Sequence, residues 1–215
     1  MTSREQILGR IQSASWANGK LPAPVIAASA RQTGEVDLFT SRVQAAGANV
    51  ERVNDIAAAR ALLATIIQEQ QLERIIGADD QATGEMRLPE LAVEIGFAYQ
   101  SSSELKGNQY RDYVINAQLG ISGCSYGIAE TGTLVLAHNH ANERLVSHAP
   151  DHYVGLIYPE QILADRLVLG SILQAETDPP AAWTLVTGVS RTADVALQVV
   201  LGMHGPRRVT VIIIG

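Results

Sequence analysis

The chain carries short, largely apolar runs that are too brief for helices and too continuous to have one wet face. LVL at 134–136, VGLIY at 154–158, WTLVT at 183–187 and VTVIII at 209–214 are of this kind. A strand buried on both faces reads this way, and such strands occur mainly in parallel sheets flanked by helices. Stretches with helical spacing separate these runs. The pattern predicts an α/β fold with a mostly parallel sheet covered on both faces.

Helix and strand signals support that reading along the chain. Residues 3–17 read as an amphipathic helix, with Ser3 as a cap and Ile7, Leu8 and Ile11 on one face. Residues 18–24 hold one glycine and two prolines and read as a connection. The expected organisation is therefore a helix and linker over 1–24 and one domain over 25–215. Leu38, Val43 and Ala46 mark a helix ending near Gly47, and 49–54 permit a strand. Asp55 is placed to cap a helix over 56–71. A strand over 73–77, a polar turn over 77–85, a helix over 88–95 and an exposed stretch over 101–109 follow. A strand or short helix is expected over 114–119 and a turn over 120–126. Strands are expected at 132–137, 154–158, 183–187 and 209–214. Pro159 opens an expected helix to about residue 174, and another is expected over 193–201.

Composition narrows the class of function. Sixteen basic and 22 acidic residues give a net charge of −6, and Arg207 with Arg208 is the one adjacent basic pair. No basic stripe interleaved with aromatics is present, so nucleic acid is not an expected partner. Cys124 is the one cysteine. It can form neither an internal disulfide nor a multi-cysteine metal or iron–sulfur site by itself. No apolar run approaches the roughly 20 residues of a membrane-spanning helix, and 1–15 lack a signal-peptide core, so a cytoplasmic location is expected.

Two glycine-rich stretches carry the candidate chemistry. The first, GISGCSYGIAETGTLVLAHNH at 120–140, places Glu130, Thr131, Gly132 and Thr133 just before a strand. Glycines let backbone amides face a ligand, hydroxyls bind its oxygens, and Glu130 has the chemistry of a base, a nucleophile or a hydrogen-bond acceptor. The same residues also suit a tight strand connection. Cys124 reads as a spectator. His138, His140, His148 and His152 are spaced by 2, 8 and 4 positions, which is not HExxH. They read as polar loop residues, and no metal is expected.

The second stretch, GVSRTADVALQVVLGMHGPRR at 188–208, follows a strand and precedes the helix expected over 193–201. Ser190, Arg191, Thr192 and Asp194 then sit at a strand–loop–helix junction, where α/β sheets place ligands. Arg191 offers a planar fork for an anion. The competing reading has Ser190 or Thr192 as a cap and Arg191 paired with a surface acid. His204 reads either as a helix-end residue or as a weaker member of the site. Neither stretch is a dinucleotide fingerprint or a P-loop.

Together, AETGTLVL (129–136) and SRTAD…VLGMHGPRRVTVIII (190–214) resemble the lactate-utilization protein C family of the LUD domain group. Glu130, Thr131, Gly132 and Thr133 match that family's Glu-Thr-Gly-Thr. Ser190, Arg191, Thr192 and Asp194 match its Ser-Arg-Thr-Ala-Asp block, and His204, Gly205 and Pro206 its His-Gly-Pro. Val195 and Ala196 stand where the family often has isoleucine and glutamate, so a second acid is missing there. The resemblance implies a three-layer α/β/α sandwich of the sugar-phosphate isomerase and CoA-transferase-like group. It also implies a part in oxidation of L-lactate to pyruvate, beside an iron–sulfur oxidoreductase subunit and a larger cluster-bearing LUD subunit. Iron–sulfur clusters are expected only in those partners, with no cofactor in this chain.

Three functional readings follow. The first is an accessory or substrate-binding subunit that holds a small anionic ligand through Arg191 and the hydroxyls. The second is a self-contained enzyme of the CoA-transferase-like group using Glu130. The third is a non-catalytic regulatory or scaffold protein.

Overall fold

A computed structural model of the chain describes residues 4, 6–7, 9–10, 34–139, 143–192 and 200–215. Its centre is a six-stranded sheet, parallel at every pairing. The strands are β1 (Asn49–Val53), β2 (Arg74–Gly77), β3 (Ala98–Ser101), β4 (Leu119–Gly123), β7 (His152–Ile157) and β12 (Arg208–Ile214), in the order β1-β12-β7-β4-β2-β3. The expected mostly parallel α/β sheet is therefore the fold.

Alternation along the strands divides the core into two faces. Ile212 and Ile214 of β12 pack with Val154 and Leu156 of β7, Leu119 and Ile121 of β4 and Ile75 of β2. Helices α2 (Ile56–Glu69) and α4 (Leu88–Ile95) cover this face with Ala59, Leu63, Ile67, Leu88 and Leu91. Burying one such leucine contributes about 1.5–3 kcal/mol. Asp55 accepts a 2.8 Å hydrogen bond from the Ala58 N–H and caps α2 as expected. Pro89 lies in the first turn of α4, and Gly96 ends that helix in the left-handed conformation.

Val209, Val211 and Ile213 face the other way, against Phe39 and Val43 of α1 (Val36–Ala45). Helices α5 (Gly107–Ile115) and α6 (Glu143–His148) cover the rest of this face with Tyr110, Val114 and Val146. A second sheet shares this layer. It contains β5 (Tyr126–Ile128), β6 (Thr133–His138), β8 (Ile162–Leu163) and β9 (Ala182–Val186), in the order β8-β5-β6-β9. Leu134 and Leu136 of β6 point into the main core. Val135 points outward to Val168 and Leu169 of α7 (Arg166–Ala175).

Several expected elements differ from the structure. Residues 120–126 are not one turn: 120–123 belong to the central strand β4, and β5 begins at Tyr126. Their glycines read as a turn, yet Gly120 is there because the Val146 carbonyl fills the place of a side chain. Pro159 opens only a single 3-10 turn over Pro159–Gln161. The chain then forms β8, and α7 starts at Arg166 on the Asp165 cap. The stretch over 101–109 is not wholly exposed, since Ser102 is buried and α5 starts at Gly107.

The helix expected over 193–201 is also corrected where it is described. Val200–Leu201 forms β11, paired antiparallel with β10 (Arg191–Thr192) in a two-stranded ribbon. Residues 193–199, including Asp194, lie outside the described residues, as do His140 and most of the N-terminal segment. Residues 4, 6–7 and 9–10 are helical and exposed.

Candidate functional site

β2 and β4 lie side by side, but the chain leaves them in opposite directions. After β2 it runs through α3 (Gln81–Glu85) and α4 to β3 at one edge. After β4 it runs through the small sheet and α6 to β7 on the other side. Such a divergence leaves a crevice beyond the carboxyl ends of the two strands, where open α/β sheets bind ligands. A cavity of about 740 Å³ opens there. Its walls come from the segments after β2 and β4, the end of β6 and the turn after β7.

Asp80 ties the floor of this crevice together. Its Oδ1 accepts from the Thr83 N–H at 2.9 Å, capping α3. Its Oδ2 accepts from the Gly123 N–H at 2.8 Å and the Thr83 hydroxyl at 3.1 Å. Burial pushes the Asp80 carboxyl above the usual range, and these three hydrogen bonds pull it partly back. Gly123 must lack a side chain, because a Cβ would stand 2.6 Å from Asp80 Oδ1 and 3.0 Å from the Ala82 methyl.

Other lining groups are held firmly. Ser122 shares a buried 2.7 Å hydrogen bond with the Tyr153 hydroxyl. The Ser125 Oγ accepts from the Ala137 N–H at 3.2 Å, leaving its own proton to donate. His138 is buried and bonded through Nε2 to the Thr184 hydroxyl at 3.0 Å. Burial lowers its pKa, against the opposing pull of Glu143. At the mouth the Tyr158 hydroxyl donates to Glu85 at 2.7 Å, linking the turn after β7 to α3. Cys124 contributes to the wall, but its thiol is buried against Gly155 and pushed far up by burial. That environment suits the spectator role expected of it.

The described residues proposed from the sequence as a site, Glu130 to Thr133, Ser190 to Thr192 and His204, lie elsewhere, and none of them lines this cavity. Many of them gather around the carboxyl end of α1. Gly132, at φ +65°, sits where a Cβ would collide with the backbone of Arg42 and Val43. Thr131 shares a 2.7 Å hydrogen bond with Thr133, which shares one of 2.8 Å with Thr187. Arg191 donates to the Ala46 carbonyl at 2.8 Å. Beside the ribbon the Gly202 N–H donates to the Ser190 carbonyl, and the Ser190 N–H donates to the Pro206 carbonyl. Thr192 pairs with Val200. Glu130 is exposed, 3.9 Å from the Arg166 guanidinium, and His204 is exposed. The Glu-Thr-Gly-Thr and Ser-Arg-Thr blocks thus come together, while Glu130 turns to Arg166 and Arg191 to the Ala46 carbonyl.

Asp80 carries no role in the sequence reading, and Gly123 reads there only as part of a glycine-rich turn. A signal was present: Arg74–Gly77 is apolar and strand-like, and Asp79, Asp80 and Thr83 follow it as a loop and helix cap.

The mostly parallel sheet and the connections diverging from it define an α/β protein. The chain belongs to the LUD domain family, whose profile matches residues 36–214. One relative, "Lactate utilization protein C" of Anoxybacillus flavithermus, is 34% identical over 98 residues, covering 46% of this chain and 44% of that protein. A protein of the same name from Oceanobacillus iheyensis is 28% identical over 158 residues, covering 69% and 66%. The chain therefore spans about half the length of the first of these relatives and two thirds of the second. A crystal structure of a DUF162 family protein from Deinococcus radiodurans superposes with a TM-score of 0.56 at 20% identity, over 83% of this chain and 95% of that one. That likeness concerns the fold. Among the described residues no helix is long and apolar enough to cross a membrane.

Proposed function

We propose that this chain is a ligand-binding accessory subunit in cytoplasmic lactate utilization, and that the crevice between β2 and β4 is its working site. The observation that carries the site is the cavity of about 740 Å³ at the switch point, floored by the Asp80–Gly123 bond. The lactate-utilization names of its relatives support the pathway. Oxidation of lactate needs an electron acceptor, and this chain brings one buried cysteine. In this reading the iron–sulfur centres belong to partners, an iron–sulfur oxidoreductase subunit and a larger cluster-bearing LUD subunit.

The motif residues around α1 act in this reading as a scaffold. Gly132 and Arg191 fasten the hairpin after β5 and the β10–β11 ribbon to the end of α1. They hold the second sheet, which supplies one wall of the crevice, against the first.

Native mass spectrometry of the protein drawn from lactate-grown source cells tests the proposal. The expected result is a complex with cysteine-rich subunits, or a retained small molecule that slows hydrogen exchange at 78–82 and 122–125. A chain that stays alone under those conditions, with any ligand protecting another surface, would sink it.

A further inference from the structure

The crevice has a one-sided chemistry. Asp79, Asp80, Glu85, Glu143 and Glu160 line it, and no lysine or arginine does so among the described residues. Arg144 is near enough to disfavour a charge on His138, but it is exposed and outside the lining.

Several donors on the walls are consumed within the protein. The Gly123 N–H is taken by Asp80, the Gln81 amide by Glu85, the Gln161 amide by the Cys124 carbonyl and the Asn139 N–H by Glu143. The charged groups that face the cavity are carboxylates, and the Ser125 hydroxyl keeps a proton to donate. An anion entering here would lose its water and meet carboxylates in return. A cationic donor would meet complementary charge and unfilled acceptor positions. The carboxylates are spread around the cavity. Among the described residues no three His, Cys, Asp or Glu side chains converge closely enough to ligate a metal ion.

We propose that the crevice takes a small molecule with an ammonium or amidinium head group, and turns away free carboxylates and phosphates. The inference rests on the crevice being the ligand site. It makes free lactate a ligand of some other subunit, and it reverses the sign of the small anionic ligand expected from the sequence.

The test is an amide NMR titration of the full chain with three probes: agmatine, L-lactate and inorganic phosphate. Agmatine is expected to move the resonances of 78–82 and 122–125 saturably, while the two anions leave them in place. In an Asp79→Asn, Glu160→Gln variant the agmatine affinity should fall about tenfold, the order expected for two partly screened charges. Both side chains are exposed, so the fold should survive. A Glu51→Gln, Glu69→Gln variant removes the same charge at exposed positions outside the cavity lining. It should leave the affinity unchanged.

Saturable movement of the crevice resonances by lactate or phosphate would overturn the ligand class and leave the site reading standing. An equal loss in both variants would reduce agmatine binding to general attraction by an acidic protein and overturn the inference. Crevice resonances that ignore all three probes would overturn it as well. The site reading itself falls only if a ligand retained from source cells protects another surface.

Discussion

The Asp80 carboxylate, just past the end of β2, accepts a 2.8 Å hydrogen bond from the backbone N–H of Gly123 at the end of β4, 43 residues further along the chain. One side chain thereby caps α3 and locks together the two strand ends that border the crevice.

This relationship predicts coupled losses of stability. Asp80→Ala removes a helix cap and leaves the Gly123 N–H without its acceptor, and should cost about 1–3 kcal/mol in urea unfolding. Gly123→Ala should cost about 1–3 kcal/mol by forcing a methyl against Asp80. The double variant should be less destabilised than the sum, because the clashing carboxylate is gone. Strict additivity would show that the two residues do not act on each other.

His152 predicts an acid-sensitive fold. It is buried between the Gln70 amide oxygen at 3.1 Å and the Thr210 hydroxyl at 2.9 Å. Burial, with a smaller push from Arg208, lowers its pKa to about 4 from 6.5. The unfolded chain therefore binds this proton first on acidification. The stabilisation is complete above pH 6.5 and is lost as pH falls toward 4, by at most roughly 3 kcal/mol. Urea melts of wild type and His152→Gln across this range check it. The variant should show a shallower pH slope, and parallel slopes would refute the assignment.

Around α1, backbone fit should matter more than charge. Gly132→Ala combines a left-handed φ with a collision against the backbone of α1, and should cost about 2 kcal/mol or more. Arg191→Ala removes an exposed bond to the Ala46 carbonyl and should cost about 1 kcal/mol. Glu130→Gln, in an exposed and long ion pair, should stay within about 0.5 kcal/mol. Thermal unfolding of the three variants gives the ranking, and a large loss for Glu130→Gln alone would reverse it.

The Cys124 thiol should resist modification in the folded chain. Its burial keeps it protonated and out of reach. Reaction with a thiol reagent at neutral pH should be on the order of a hundredfold slower than for free cysteine, and should recover in urea. Rapid labelling of the native protein would show an open path to the sulfur.

Local signals were legible in the sequence because they depend on neighbours in the chain. Asp55 capping α2, Pro89 opening α4 and the apolar run of β12 act within a few residues of themselves. Those signals were enough for the parallel α/β class. The Glu-Thr-Gly-Thr and Ser-Arg-Thr blocks also pointed to the family, since they are local strings.

Only the tertiary structure decided where the crevice lies. Gly120 and Gly123 look like turn residues until a helix carbonyl and a distant aspartate occupy the space above them. Arg191 looks like an anion fork until the end of α1 takes its donor. The order of strands brings the ends of β2 and β4 together and sends their connections apart. That order depends on contacts between residues far apart in the chain, so local spacing cannot specify it. The same order gathers five carboxylates, from three separate segments, around one cavity.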